Sequence, residues 1–156
     1  DIWCFSINEG KDKKLKKLSS RRIVPIHPYL IKQGILSHVE SIKAESHERL
    51  WPSLTFSSIN GYSNLFGKWF QRLNRQLITQ DKRKVFHSFR HSFANKLKQG
   101  GISESLIAEL MGHKNNSITM GRYGKRYEPN ILLDALKNLS FDEALEVISP
   151  YPKTLI

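Results

Sequence analysis

From Tyr62 onward the chain alternates apolar residues at helical spacing with abrupt stop signals, and that alternation restricts it to a packing of short helices. Leu65, Phe66, Trp69, Phe70, Leu73 and Leu77 recur three and four apart, predicting an amphipathic helix from about Tyr62 to Ile78 whose apolar stripe is core. A second helix, from about Ser88 to Lys98, stops at Gly100-Gly101. Ser103 then caps a short helix carrying Leu106, Ile107, Leu110 and Met111, and Gly112 ends it. Ser117 caps the next, from Ile118 to about Tyr127, and Pro129 follows. Two further short helices are expected after it, the last opened by the capping box Ser140-Phe-Asp-Glu143.

The N-terminal part reads differently. Residues 2–7, Ile-Trp-Cys-Phe-Ser-Ile, are strand formers followed by a turn at Asn8-Glu9-Gly10. Arg22-Ile-Val-Pro-Ile26 is a second short strand, with Pro25 placing it at an edge or a strand end. The two suggest a hairpin-like pair with a basic loop between them. Pro28 opens a helix through about Glu45, and residues 46–60 form a loop. The expected fold is therefore mainly α with a small N-terminal antiparallel β-hairpin. With 156 residues it has length for one core: hairpin and basic loop over 1–27, helical core over 28–139, C-terminal helix and tail over 140–156.

Charge narrows the function. Lys and Arg number 25 against 14 Asp and Glu, a net +11, on a chain too apolar (39%) for a disordered polycation. The excess is focused. Lys11 to Arg22 is net +6, Lys68 to Lys98 is net +8, and Lys114, Arg122, Lys125 and Arg126 add +4, whereas Ile131 to the end is net −2. Bringing three such runs together costs repulsion unless a polyanion neutralises it, and nucleic acid is the leading partner. No basic segment has the clean apolar face of an interfacial helix, and no apolar run reaches the roughly 18 residues of a membrane span. The single Cys4 excludes an internal disulfide and reads as a small buried apolar residue. The chain is expected to be soluble and cytoplasmic.

Candidate chemistry lies in three places. His87, Arg90 and His91 fall within one arc of a helix or its first turn, and Phe89, Phe93 and Leu97 occupy a separate arc that can pack inward. In Leu110-Met-Gly-His113 a His follows directly on a helix stop, where its side chain can be held outside the helix. Tyr123 and Tyr127 sit among cations in Gly-Arg-Tyr-Gly-Lys-Arg-Tyr. A basic setting lowers a phenol from its ordinary pKa of about 10 and makes it a candidate oxygen nucleophile toward phosphate. His87 and His91 do not read as a zinc pair, because the Glu of His-Glu-x-x-His is absent.

His87-Ser-Phe-Arg90, Leu110-Met-Gly-His113 and Tyr123, in that order and spacing, resemble the catalytic signature of the tyrosine recombinases, the phage integrase family. Lys16-Lys-Leu-Ser-Ser-Arg-Arg-Ile-Val-Pro25 resembles the hairpin segment in which that family places its catalytic lysine. The resemblance covers nearly the whole chain. It implies metal-independent cleavage and rejoining of double-stranded DNA through a 3′-phosphotyrosine, without a cofactor. Tyr123 would be the nucleophile, Lys16 the acid for the leaving 5′ oxygen, and Arg90 and His113 donors to the phosphate; His87 would accept a proton or hold the phosphate. Lys13, Lys14, Lys17, Arg21, Arg22, Lys114, Arg122, Lys125 and Arg126 would contact DNA. Self-association into a tetramer on DNA and a bacterial or phage-encoded, nucleoid-associated setting follow from the same likeness.

The match departs from the family in two respects, an upstream arginine and the choice of lysine. The family has another catalytic arginine upstream of the hairpin, and no such segment precedes Asp1; His47-Glu-Arg49 lies after the hairpin. The chain is thus expected to be the C-terminal part of a catalytic domain, cleaving poorly by itself. Lys13, Lys14 and Lys17 compete with Lys16, and Tyr127 competes with Tyr123 one helical turn away. A non-catalytic helix-turn-helix module over Ser103 to Tyr123 explains the charge equally well, and a tyrosine-dependent topoisomerase shares the chemistry.

Overall fold

The computed structural model describes residues 1–10, 15, 17–59, 61–113 and 126–139. It is mainly helical with one two-stranded antiparallel sheet, as the sequence predicts. Strand β1 (Cys4–Ile7) pairs with β2 (Arg22–Pro25) in the register Cys4 to Pro25 and Ile7 to Arg22. Pro25 ends its strand, where its missing N–H costs no ladder bond, and the Ile26 amide takes over by donating to the Trp3 carbonyl at 2.8 Å. Cys4 is half-buried, its thiol directed to the Ile2 carbonyl at 3.5 Å, and burial pushes its pKa up.

Two compact units are built from the chain, one from residues 1–34 and 94–156, the other from residues 35–93. The first holds the sheet, helix α1 (Pro28–Lys32) and the elements after residue 94. Pro28 is the first residue of α1, and the His27 imidazole caps it by accepting from the Tyr29 amide through Nδ1 at 3.1 Å. The single helix expected from Pro28 to Glu45 is broken. Gly34 has φ 93°, a conformation that favours glycine, and α2 (Ile35–Ala44) restarts beyond it.

In the same unit lie α5 (Glu104–Met111) and α6 (Pro129–Lys137), with Pro129 opening the latter. Both pack on β2 and on each other. Ile26, Leu97, Leu110, Met111, Leu132, Ala135, Leu136 and Leu139 are buried there, with Leu97 and Leu132 1% exposed. This is the molecule's apolar core among the described residues.

The second unit carries α2, α3 (Ser63–Leu73) and the start of α4 (Ser88–Gln99). The predicted helix over 62–78 is present, but its last turn widens: Asn74–Ile78 bond five residues apart, with the Thr79 amide donating to the Asn74 carbonyl at 2.8 Å. Its apolar stripe is not enclosed as expected. Leu65, Trp69 and Leu77 stay well exposed, while Phe66 and Phe70 meet the Phe86 ring edge to face. The loop that follows α2 is pinned near its start. His38 bonds the Leu50 carbonyl at 2.8 Å, and the Arg49 guanidinium lies 4.3 Å from the centre of the Tyr62 ring. The C-terminal helix and tail expected at 140–156 lie outside the described residues.

Candidate active site

His87 and Arg90 are mounted at the start of α4, in the second unit. The approach to the helix is a tight turn in which the Ser88 amide donates to Val85 O at 2.8 Å and the Arg90 amide to His87 O at 3.0 Å. Ser88 Oγ accepts from the Val85 amide at 3.1 Å, locking the entry. Phe86 and Phe89 bracket His87 and insert into an edge-to-face cluster with Phe66 and Phe70 of α3, at centroid distances of 4.9 to 5.7 Å. Such pairs contribute about 0.5 to 1.5 kcal/mol each beyond area burial. Their positions on either side of His87 anchor the turn while leaving the imidazole exposed.

The His91 ring lies edge-on against that of His87, with centroids 5.4 Å apart. Among the described residues no three His, Cys, Asp or Glu side chains cluster as metal ligands.

The approach to that turn carries the second basic run. Buried Asn74 donates through Nδ2 to the Lys84 carbonyl at 2.7 Å, and Arg75 reaches the Thr79 carbonyl at 3.3 Å. Asp81 and Arg83 form a bidentate pair at 3.0 Å, whose hydrogen bonds hold the Asp81 carboxyl below its ordinary range. Lys68, Arg72, Lys82 and Lys84 are exposed. Asn74 escaped the sequence reading, since an Asn on an amphipathic helix gives no sign of which carbonyl it will meet.

His113 is mounted in the first unit by the end of α5. Ser103 caps the N-terminus, as predicted, with its side chain accepting from the Leu106 amide. At the other end Gly112, at φ 69°, closes a Schellman turn: the His113 amide donates to Ala108 O at 2.8 Å and the Gly112 amide to Glu109 O at 3.0 Å. His113 is thereby placed just outside the helix with its side chain exposed, next to a pocket of about 250 Å³ that it lines with Asn95, Lys98, Glu104 and Ile107.

Arg22 reaches the same turn from β2, its Nε donating to Leu110 O at 3.0 Å and its Nη1 to Ser20 O at 2.9 Å. The family resemblance assigns this side chain to DNA, and nothing in the sequence signals its inward turn. Lys17, Arg21 and Arg126 are exposed. Lys13, Lys14, Lys16, Lys114, Arg122, Tyr123 and Lys125 lie outside the described residues.

Tyr127 is held by α5. Its hydroxyl pairs with Ser105 Oγ at 2.7 Å, and its amide donates to the Glu109 carboxylate at 3.2 Å. Neither partner was predicted, because each depends on how the chain after residue 126 returns to α5.

Comparison with known proteins agrees with the residue pattern. The model of the phage integrase family matches residues 4–128, most of the chain. A protein described as "Tyrosine recombinase XerC-like", from Caldanaerobacter subterraneus subsp. tengcongensis, is 39% identical over 61 residues, which is 39% of this chain and 15% of that relative. No solved structure matches. The ordered His87, Arg90 and His113 and a family match that runs through all three place the chain in the phage integrase family, the tyrosine recombinases.

Proposed function

We propose that the chain is the strand-cleaving and rejoining part of a site-specific DNA recombinase, with the DNA breaking-rejoining fold of its family. The observation that carries this reading is the mounting of His87-x-x-Arg90 on an aromatic pedestal and of His113 on a glycine-closed turn, within a chain of the integrase family. Both mountings hold a phosphate-directed side chain on ordered backbone while leaving the imidazole in reach of a ligand.

The reaction is two transesterifications. Tyr123 Oη attacks phosphorus, forming a 3′-phosphotyrosine as the bond to the 5′ oxygen breaks. His87 takes the phenolic proton or holds the phosphate, and Lys16 protonates the departing oxygen. Arg90 clamps the non-bridging oxygens with its planar fork, and His113 donates to the same group. A 5′-hydroxyl of another strand then reverses the steps. The phosphoester bond is conserved throughout, so the chemistry balances without an added cofactor. The duplex is held by Lys13, Lys14, Lys17, Arg21, Lys114, Arg122, Lys125 and Arg126, and protomers assemble as a tetramer on DNA in the cytoplasm.

The engagement of the Tyr127 hydroxyl by Ser105 supports Tyr123 as the nucleophile. In the complete natural chain, incubated with a pool of nicked duplexes of randomised sequence, Tyr123→Phe should abolish the covalent protein–DNA adduct while Tyr127→Phe retains it. An adduct surviving Tyr123→Phe would defeat the assignment. Specific DNA binding with no adduct from the unaltered chain would leave a binding module in its place.

A further inference from the structure

We propose that Arg22 is a positioning residue that ties the end of the basic loop to the C-terminal turn of α5 and so fixes the backbone from which His113 projects. What that position is used for rests on the recombinase reading; the tie itself rests on geometry within one unit.

A helix C-terminus leaves carbonyls without intrahelical partners. In α5 the Schellman turn satisfies two of them, Ala108 O through the His113 amide and Glu109 O through the Gly112 amide. Leu110 O is among the carbonyls this turn does not reach, and Leu110 is buried. Arg22 Nε supplies the donor for that oxygen at 3.0 Å, and a cation there also suits the negative end of the helix dipole. The same guanidinium donates through Nη1 to Ser20 O at 2.9 Å. Ser20 closes a short 3₁₀ turn, its amide bonded to the Lys17 carbonyl at 2.9 Å, where the basic loop enters β2. One planar fork therefore joins two segments almost ninety residues apart in sequence, one leading from the proposed catalytic lysine and the other into His113.

Gly112 is fitted to this fork. A Cβ there would stand 2.8 Å from the Arg22 guanidinium carbon, and φ 69° would strain any L side chain besides. Glycine is thus required twice, for the turn and for the close approach of Arg22. Lysine cannot replace the fork, since a single ammonium on a flexible stem does not hold both carbonyls in one plane.

The deciding variant is Arg22→Lys in the complete natural chain, which keeps the charge and removes the fork. Adduct formation on the nicked randomised pool should fall by about a hundredfold, the scale of a misplacement near one ångström. The salt dependence of binding to a mixed-sequence duplex should stay unchanged, and Gly112 and His113 amides should exchange faster with solvent. In the double variant Arg22→Lys with His113→Ala, cleavage should be no worse than in His113→Ala alone, since Arg22 acts through His113; a merely structural loss would add.

Near-normal cleavage by Arg22→Lys would overturn the proposal, as would an Arg22→Ala variant whose salt slope drops by about one, the mark of a direct phosphate contact. If the unaltered chain forms no adduct, the recombinase reading fails. Amide exchange in Arg22→Lys then still decides the tie, and unchanged exchange at Gly112 and His113 overturns it.

Discussion

The two units hold their candidate residues by different physics. The first mounts His113 on a helix whose far side is sealed by leucines: Leu110 and Met111 are buried with Leu97, Leu132, Leu136 and Leu139. The second mounts His87 and Arg90 on rings that remain half in water, Phe86 at 51% and Phe89 at 60% exposure, and its buried residue among those described is the polar Asn74. Burying a leucine fully contributes about 1.5 to 3 kcal/mol, and a half-exposed ring gains only part of its share. The comparison teaches that the two mountings should differ in stiffness: the His113 turn should open only with its core, while the His87 turn opens locally.

Removing the core of the first unit should have the largest effect. Leu132→Ala is expected to lose about 2 to 5 kcal/mol, read from the denaturant midpoint, with amide exchange in α5 and α6 accelerating together. Exchange confined to α6 would break the claim that one core holds the His113 turn. In the second unit Asn74→Ala leaves the Lys84 carbonyl without that partner, for about 1 to 3 kcal/mol, felt as faster exchange between Thr79 and Ser88. A variant with unchanged exchange there would show that this polar anchor does not hold the turn.

Phe86→Ala removes three edge-to-face contacts from a ring already half exposed, and about 1 to 2 kcal/mol is expected. Its sharper mark is local: His87 and His91 imidazole resonances should shift while those of α5 stay in place. A cost as large as that of Leu132→Ala would erase the contrast between the units. The smallest effect belongs to the Asp81–Arg83 pair. Because Arg83 holds the Asp81 carboxyl below its ordinary pKa of about 3.9, the folded form gains from it above that pH and loses the gain as pH falls through the lowered value. Asp81→Asn should flatten that acid-side dependence slightly, measured by denaturation between mildly and strongly acidic buffers. An unchanged profile would remove Asp81 from it.

Much of the architecture was legible in the residues because its signals are local. Ser103 and Gly112 bounded α5, Gly100-Gly101 stopped α4, Pro129 opened α6, and Pro25 ended β2, each through a backbone property of the residue itself. The break at Gly34 was equally local and was outweighed by the apolar spacing that runs through it. Misreading the α3 stripe as enclosed had another cause. Periodicity reports which face is apolar and is silent on how much chain will cover it.

The same divide runs through the site. Likeness to the recombinase signature singled out His87, Arg90 and His113, and the family match extends over all of them. That likeness could not show that Arg22 turns inward to Leu110 and Ser20, that Ser105 and Glu109 hold Tyr127, or that four phenylalanines underlie His87.

The helical class, the antiparallel strand pair and the three focused basic runs follow from the sequence alone, since each is written in side-chain type and short-range backbone preference. Tertiary structure was needed to turn Arg22 inward, to tie Tyr127 to α5 and to seal the core of the first unit. Those outcomes depend on meetings between residues such as Arg22 and Leu110, and a contact across that distance leaves no periodic trace in the chain.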